Sequence, residues 1–349
     1  MKAFVLTGLK KMAQREVPTP RIINDDDVLL RVAVVGVCGS DVHYYTSGRI
    51  GSQVVSYPFT VGHECAAMVE EVGRGVTRVR PGDRVAIEPA RSCWACDQCL
   101  NGRPHTCRQL RFLGCPGQAE GCLSEFIVMP ETSCFSIPES MTLEQAALSE
   151  PLSIGVYAAK LSEIGAGARI GILGSGPIGL SVLLAARAAG AGAVYMTDHL
   201  DARVQTARSA GAEWAGNSAS EDVVAAITTA EPLLLDTVFE CCGRQEAVDQ
   251  AVALLKPGGK LMMVGIPAVD RISLTIDLAR RKELCFQNVR RQNHCLQEAL
   301  RLIMDRSAPV DFMVTHRFAF KDTPAAFELV EGYRDGVIKA MVTVAGNAA

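Results

Sequence analysis

Residues 169–179 carry the sequence RIGILGSGPIG, in which a short apolar run is followed by the pattern G-x-G-x-x-G. After a strand and before a helix, the first glycine permits a tight turn and the second lets the main chain approach a pyrophosphate. The third glycine allows close packing of the helix. The pattern therefore predicts a dinucleotide site, and its residues are Gly174, Gly176, Pro177, Ile178 and Gly179.

An acidic residue, Asp198, stands at the end of the next predicted strand. A carboxylate at that place can accept hydrogen bonds from both ribose hydroxyls, and it would repel a 2′-phosphate. NAD is therefore expected in preference to NADP, although the nearby Arg203 keeps NADP open. The alternative is a structural glycine turn, with Asp198 capping the next helix.

The pattern of β-rich and helical segments differs before and after this stretch, which predicts two domains. Residues 153–290 alternate β-rich runs with alanine-rich helical segments, which is typical of a doubly wound parallel sheet. Earlier residues form short β-rich runs between turn clusters such as residues 80–83 (RPGD), which predicts a mostly β domain. The strands of the parallel sheet are expected at residues 169–173, 193–197, 236–240, 260–264 and 284–289. The predicted fold is therefore α/β, with a Rossmann domain at 153–290 and a mostly β domain at 1–152 and 291–349.

The bulk composition excludes several classes of protein. The 349 residues have a formal net charge of -3 without long runs of one sign. The sequence therefore predicts neither a basic patch that would bind nucleic acid nor a basic face that would bind a membrane. No stretch approaches the ~20 apolar residues of a membrane span, and the start reads as a strand. The 13 cysteines are an odd number in a long chain, which fits reduced thiols better than disulfides. We therefore expect a cytoplasmic protein that acts on a small molecule.

Four cysteines with the spacing C-x2-C-x2-C-x7-C lie in a loop rich in turn-forming residues. Four thiolates can close a tetrahedral shell around one Zn²⁺ and leave no position open for chemistry, which predicts a structural zinc. The alternatives are an iron–sulfur cluster or four unligated thiols, and the polar loop is a poor place for core residues. The four residues are Cys93, Cys96, Cys99 and Cys107.

A second, dispersed set of possible metal ligands consists of Cys38, His63, Glu64 and Glu150. Each alone has an ordinary explanation, such as a buried thiol, a turn cap or a residue at a domain junction. As a set they offer a thiolate, an imidazole and carboxylates, which can hold zinc and leave a position for water or substrate. Their spacing in the sequence does not prove that they converge.

Together these motifs resemble the zinc-containing medium-chain dehydrogenase family over essentially the whole chain. The sorbitol (L-iditol) and xylitol dehydrogenase branch is most similar, at CGSDVHY (38–44), EPLS (150–153), NVRRQN (288–293) and VTHRF (314–318). The resemblance implies a Rossmann NAD-binding domain and a GroES-like catalytic domain, with one catalytic and one structural zinc per chain. It also implies transfer of a hydride from a secondary hydroxyl of a polyol to NAD, which gives a ketose.

The resemblance also implies roles for individual residues. Cys38 and His63 match ligands of the catalytic zinc, completed by Glu64 or by a water that Glu150 holds, and the choice between the two carboxylates stays open. Positions that match coenzyme contacts are Arg203, Val264, Gly265 and Ile266. Positions that match or adjoin polyol contacts are Tyr44, Phe112, Glu150, Arg290 and Arg291.

Two residues of the expected polyol pocket depart from the pattern of the branch. Arg291 stands where an aromatic residue is common, and Cys115 replaces a hydroxyl-bearing residue. Both bear on which polyol is bound. Arg290 could supply fixed donors to substrate hydroxyls, and its alternative role is to pair with a carboxylate at the domain junction.

Ser40 and His43 follow the Cys38 ligand at a spacing of three residues. This spacing suits a relay that takes the proton from the substrate hydroxyl through Ser40 and the coenzyme ribose to the His43 imidazole. The alternative is that Ser40 and Asp41 cap a helix that begins there.

Other activities on the same scaffold remain open, namely L-threonine 3-dehydrogenation and 2,3-butanediol dehydrogenation. A zinc- and nucleotide-binding scaffold without catalysis is a third possibility. The resemblance suggests a homo-oligomer, a tetramer, and the alternating apolar residues of 271–276 could form an exposed pairing strand.

Overall fold

The computed structural model describes residues 1–344, which divide into two compact units. The first unit comprises residues 1–150 together with those from 310 onward, and the second comprises residues 151–309. No helix among the described residues is both long enough and apolar enough to cross a membrane.

Residues 1–150 form short strands with few helices. The strands are β1 (Lys2–Gly8), β2 (Lys11–Glu16), β3 (Asp27–Gly36), β4 (Arg49–Ile50), β5 (Gln53–Val54), β6 (Glu64–Val72), β7 (Arg84–Ile87), β8 (Ala90–Arg91), β9 (Arg111–Phe112), β10 (Phe126–Pro130) and β11 (Cys134–Ser136). The helices are α1 (Gly39–Ser47), α2 (Asp97–Leu100) and α3 (Leu143–Ser162), the last of which continues into the second unit.

Residues 151–309 alternate strands with helices. The strands are β12 (Arg169–Leu173), β13 (Ala193–Asp198), β14 (Trp214–Asn217), β15 (Leu235–Glu240), β16 (Leu255–Met263) and β17 (Cys285–Asn288). The helices are α4 (Pro177–Ala188), α5 (Asp201–Ser209), α6 (Val223–Ala230), α7 (Gln245–Leu254), α8 (Ile276–Arg281) and α9 (Leu296–Met304).

The six strands of the second unit form one parallel sheet in the order β14-β13-β12-β15-β16-β17. The order reverses direction at β12, where the chain first enters the sheet, and this is the arrangement of a doubly wound Rossmann fold. Residues of β12 and β13 are buried almost throughout because helices cover both faces of such a sheet. The predicted α/β class is therefore confirmed.

The last described segment, from residue 310, contributes to the sheet of the first unit. It forms β18 (Val314–Ala319), α10 (Thr323–Glu331) and β19 (Lys339–Thr343). The sheet has the order β11-β7-β6-β3-β19-β18, and β10 also pairs with β3. Apolar side chains from both ends of the chain share one core, for example Val32 and Val342, each 0% exposed.

The point at which the chain returns from the second unit to the first differs from the predicted domain boundary. The second unit continues to Pro309, whereas the sequence predicted a return at residue 291. Helix α9 explains the difference, since its Leu296 and Ala299 are buried and its Glu298 forms an ion pair with Lys160 of α3 at 2.5 Å. Residues 345–349 of the predicted first domain lie outside the described residues.

The segment suggested as a pairing strand, residues 271–276, is not a strand among the described residues. Residues 271–275 have no regular secondary structure, and α8 begins at Ile276. Of the alternating apolar residues, Ile272 is half-buried against the core of the second unit, whereas Leu274 is 38% and Ile276 is 66% exposed.

Candidate active site

Two strand ends bring together the dispersed candidate ligands of the first unit. Strands β3 and β6 are antiparallel with Gly36 opposite Glu64, so Cys38, just after β3, lies beside His63, just before β6. The ligand atoms of Cys38, His63 and Glu64 lie within 4.8 Å of one another. His63 and Glu64 are buried and Cys38 is half-buried. A thiolate and an imidazole this close together can share one Zn²⁺, which fits the donor set expected for a catalytic zinc.

A buried carboxylate, Asp41, organises this group from helix α1. Its Oδ1 lies 3.3 Å from His63 Nδ1 and accepts a hydrogen bond from the Gly62 N–H at 3.1 Å. Its Oδ2 accepts from the Cys38 N–H at 3.3 Å, so Asp41 also caps the helix. A carboxylate on one imidazole nitrogen leaves the other nitrogen for a metal. The sequence suggested only the capping role for Asp41.

The charges around His63 favour a cation. Burial by itself would lower the pKa of His63, but Asp41 and Cys38 outweigh it and raise the pKa well above its usual value. Surroundings that stabilise a positive imidazole also stabilise a metal cation in the same place, because both interact with the same negative groups. The residues present therefore fit a bound zinc ion.

Glu64 is held in a buried ion pair that the sequence reasoning missed. Lys339 Nζ, on β19, lies 2.8 Å and 2.5 Å from the two carboxylate oxygens of Glu64, and it also donates to the Val37 carbonyl at 3.2 Å. Both charged side chains are 1% exposed. Burial lowers and Glu64 raises the pKa of Lys339, with a net increase. An inner-shell role for Glu64 would therefore have to compete with Lys339 for its oxygens.

Glu150 lies in helix α3 and is 6% exposed. Among the described residues it is not a member of the close group of ligand atoms formed by Cys38, His63 and Glu64. Its charge nevertheless contributes to raising the pKa of Lys339. The proposed role of Glu150 as a ligand, or as the holder of a water, stays a prediction.

The two residues of the expected proton relay lie on α1. Ser40 Oγ donates to Cys38 Sγ at 3.3 Å, so the hydroxyl lies directly against the candidate ligand. His43 is half-buried, and burial lowers its pKa. These positions suit the expected roles of both residues, which stay predictions.

One residue of the expected polyol pocket contacts His63, and two others contact each other. The Phe112 ring packs against the His63 ring with centroids 5.3 Å apart. Tyr44 Oη donates to Gln53 Oε1 at 3.2 Å, and Cys115 Sγ lies 3.8 Å from the same hydroxyl. Gln53 was not recognised from the sequence, because it lies outside every motif.

The four clustered cysteines converge as their spacing predicts. Their sulfurs lie within 4.8 Å of one another, with separations of 3.6 Å for Cys96–Cys99, 3.9 Å for Cys96–Cys107 and 3.4 Å for Cys93–Cys107. A tetrahedron with bonds of ~2.3 Å places its sulfurs roughly 3.8 Å apart. Main-chain N–H groups lower the pKa of Cys96 to about 6, which favours its thiolate, whereas burial raises the pKa of Cys99 to about 12. The geometry fits one zinc ion better than a cluster, whose inorganic atoms would hold the sulfurs farther apart.

The predicted dinucleotide loop connects β12 to α4. Gly174 has a φ of +107°, and a Cβ at Gly179 would lie 1.8 Å from the Gly174 carbonyl oxygen. Both positions therefore require glycine. Gly176 precedes the first turn of α4, which Pro177 opens, so the free N–H groups of the helix lie where a pyrophosphate would bind.

Asp198 ends β13 beside this loop, and both of its oxygens accept main-chain hydrogen bonds. The Ser175 N–H donates at 2.9 Å and the Leu200 N–H at 3.0 Å. Asp198 does not cap α5, because the residue before that helix is Leu200. Arg203 Nη1 lies 4.0 Å from Asp198 Oδ2, so a cation stands near the same position.

The other expected coenzyme residues follow β16. The Val264 and Gly265 N–H groups both donate to the Glu240 carbonyl at 2.9 Å, while Ile266 is exposed. The Glu240 side chain is 0% exposed, and its Oε1 accepts from the N–H groups of Cys242 and Gly243 at 2.8 Å and 2.5 Å. Glu240 therefore holds two loops at the same sheet edge, a role that the sequence did not reveal. Arg290 and Arg291 lie after β17 in the same unit, the first exposed and the second half-buried.

Comparison with known proteins identifies both halves of the chain. Residues 24–139 match the model of the alcohol dehydrogenase GroES-like domain, and residues 177–305 match that of the zinc-binding dehydrogenase domain. The chain is 35% identical to a sorbitol dehydrogenase of Bacillus subtilis over 98% of its length and 97% of the relative's. It is also 35% identical to an L-idonate 5-dehydrogenase of Vitis vinifera over 86% of its length and 84% of the relative's.

A solved structure extends the comparison to the fold. A putative zinc-binding dehydrogenase from Sinorhizobium meliloti, bound to NADP, superposes with a TM-score of 0.89 and 29% identity over 98% of this chain and 99% of the other. The chain therefore belongs to the zinc-containing medium-chain dehydrogenase family, near its sorbitol and xylitol dehydrogenases, and is a nicotinamide-dependent oxidoreductase.

Proposed function

We propose that this protein is a polyol dehydrogenase, which oxidises a secondary hydroxyl to the ketone and transfers the hydride to NAD. The observation that carries the proposal is the convergence of Cys38, His63 and Glu64 in a chain of this family. Carboxylate is a harder ligand than thiolate and is more hydrophilic, which suits a substrate with several hydroxyls. The similarity to a sorbitol dehydrogenase supports the same substrate class.

Cys38 and His63 would hold the catalytic zinc, completed by Glu64 or by a water that Glu150 holds. Bound there, zinc supplies Lewis acidity, which lowers the pKa of an alcohol as it lowers that of water. Asp41 fixes the orientation of the His63 ring through Nδ1. Lys339 balances the buried charge of Glu64, so the site keeps a carboxylate without leaving it unpaired.

Ser40 and His43 are the residues that would carry the proton away from the substrate. Because burial lowers the pKa of His43, its imidazole is neutral at neutral pH and can accept a proton. Ser40 can pass a proton because a hydroxyl both donates and accepts.

Asp198 is the residue that would select the coenzyme. Its carboxylate would accept from the ribose hydroxyls of NAD and repel the 2′-phosphate of NADP, which Arg203 would partly offset. The KM values for the two coenzymes test this choice. A strong preference for NADP would remove the role given to Asp198.

A substrate panel tests the proposed activity. Purified enzyme is assayed for NADH formation with sorbitol, xylitol, L-threonine, 2,3-butanediol and 2-butanol, and with each compound in the presence of NADP. We expect the highest kcat/KM with a polyol. Higher kcat/KM with threonine or butanediol would place the protein with those dehydrogenases, and no oxidation of any compound would contradict the proposed function.

We propose further that the protein works in the cytoplasm as a homotetramer. In the described chain, β17 pairs with one strand only, β16, and its Phe286 is 37% exposed, as is expected of an edge that receives a second copy. The molar mass in solution, measured by light scattering after gel filtration, tests the assembly. A monomeric mass at micromolar concentration would contradict it.

A further inference from the structure

Three side chains of the first unit form a short hydrogen-bonded chain next to the candidate zinc site. Tyr44 Oη donates to Gln53 Oε1 at 3.2 Å and lies 3.8 Å from Cys115 Sγ. Tyr44 and Cys115 are 4% and 3% exposed, and Gln53, on β5, is half-buried. The Tyr44 hydroxyl therefore has both Gln53 and Cys115 among its partners.

This chain adjoins the metal ligands through two separate connections. Tyr44 lies on α1, which begins directly after Cys38. Cys115 lies in the turn after Phe112, whose ring packs against His63. The turn fits tightly there, since a Cβ at Gly114 would lie 2.6 Å from the Gly62 carbonyl oxygen. Tyr44 and Cys115 therefore belong to the segments that follow Cys38 and contact His63, where the proposed function places the substrate.

The partners of Tyr44 determine which hydrogen-bonding role it can play. A tyrosine hydroxyl has one proton, and the carbonyl oxygen of a glutamine side chain can only accept. Tyr44 therefore gives its proton to Gln53, and the Cys115 thiol serves as the weak donor to Tyr44. A hydroxyl whose proton is committed in this way can meet a substrate only as an acceptor.

We propose that Gln53 is a positioning residue that sets the substrate class by keeping Tyr44 an acceptor. Tyr44 then accepts a hydrogen bond from a second hydroxyl of a neutral polyol. It disfavours a carboxylate at that position, since an ionised carboxylate has no proton to donate. The inference rests on the proposed polyol dehydrogenase function, and it separates polyols from the corresponding sugar acids.

The test compares three substrates, namely xylitol, the acid xylonate, and 2-butanol, which has no second hydroxyl. Gln53→Leu removes the acceptor, so we expect the KM for xylitol to rise about three- to tenfold, the usual effect of one hydrogen bond. The preference for xylitol over xylonate falls by a similar factor. The kinetics with 2-butanol stay within twofold, which also shows that the variant is folded and holds its zinc.

Further variants separate a positioning role of Gln53 from a general disturbance of the fold. Gln53→Glu keeps an acceptor for the Tyr44 proton and should retain the wild-type KM for xylitol. In Tyr44→Phe the hydroxyl is absent, so adding Gln53→Leu to it should change the xylitol KM no further. Gln14→Leu, an exposed glutamine of β2 in the same unit, is the matched control and should behave as wild type.

The outcomes distinguish a failure of the role given to Gln53 from a failure of the proposed dehydrogenase function. Equal effects of Gln53→Leu on xylitol and 2-butanol, or effects that add to those of Tyr44→Phe, would overturn the role of Gln53. Wild-type oxidation of 2-butanol with none of xylitol would overturn it as well, while leaving a dehydrogenase. No oxidation of any alcohol would instead refute the proposed function, and the inference would fall with it.

Discussion

At the scale of single residues, the candidate site depends on which buried charges are paired. Asp41 serves His63 and the start of α1 at once, and Lys339 serves Glu64. Such pairing is needed because an unpaired buried charge is costly. The site therefore concentrates negative groups around a metal position without leaving Asp41 or Glu64 unpaired.

Replacing Cys38 should separate the two metal sites. Cys38→Ser weakens the thiolate–imidazole pair, so we expect one of two zinc ions per chain to be lost and turnover to fall below one-hundredth of the wild type. Cys96→Ser should also lose one zinc, but from the four-cysteine site. Elemental analysis with parallel assays measures both. Cys285→Ser, at an exposed cysteine, is the control, and two zincs retained in Cys38→Ser would contradict the catalytic assignment.

The His43 relay predicts a specific dependence on pH. Because burial lowers the pKa of His43, the neutral base persists below pH 6.5 and is lost only as the pH falls through that lowered value. His43→Ala removes this base, so turnover should drop mainly below neutral pH, where hydroxide is too scarce to replace it. Profiles of kcat against pH test this. Profiles of the same shape in wild type and variant would exclude His43 from the relay.

Among the site residues, the sequence revealed those that belong to local motifs. The four-cysteine group was recognisable because residue type and spacing express its chemistry, whereas Cys38 and His63 were recognised through the motifs that resemble the family. Lys339 was not, since its partner Glu64 is 275 positions away and only the pairing of β19 and β6 with β3 brings them together. The signal in the sequence that could have revealed this pair is that a charged residue, Lys339, begins the apolar run of β19.

At the scale of elements, strands with β-branched residues were predicted within a few positions. β12 was predicted with its observed bounds, and β13 and β15 with errors of one residue. β14 was missed, because its sequence WAGN contains no β-branched residue and ends in turn-forming types. β16 begins earlier than predicted, since residues 256–259 (KPGG) read as a turn but continue the strand.

The pairing of β19 with the site predicts a large effect of Lys339 on stability. Lys339→Met leaves Glu64 buried and unpaired, which should destabilise the first unit by about 3–5 kcal/mol. Combining it with Glu64→Gln removes the orphaned charge and should restore part of the loss. Thermal unfolding of the single and double variants measures this.

The exposed Lys321 supplies the control for that comparison, and Lys321→Met should unfold at the same temperature as the wild type. If Lys339→Met unfolds at the wild-type temperature, the ion pair contributes nothing measurable. A double variant no more stable than Lys339→Met would instead show that packing of the lysine stem matters more than charge.

At the scale of the whole molecule, one unit carries the candidate metal ligands and the other carries the expected coenzyme residues. The metal-ligand groups Cys38/His63/Glu64 and Cys93/Cys96/Cys99/Cys107 lie within residues 1–150, whereas the glycine loop, Asp198 and Glu240 lie within residues 151–309. The second unit has its own sheet and its own buried core. Coenzyme binding should therefore depend little on zinc.

Removal of zinc by a chelator tests this division of labour. After dialysis against dipicolinate, we expect turnover to be lost while the Kd for NADH, followed by coenzyme fluorescence, stays within about threefold, a difference of less than 1 kcal/mol. Turnover should return with added Zn²⁺ but not with Mg²⁺, because thiolate and imidazole ligands favour zinc. Loss of NADH binding together with the metal would show that the coenzyme loops depend on the zinc-binding unit for their structure. In that case Asp198 and Glu240 would not suffice to organise the coenzyme site, and its residues would have to be sought in both units.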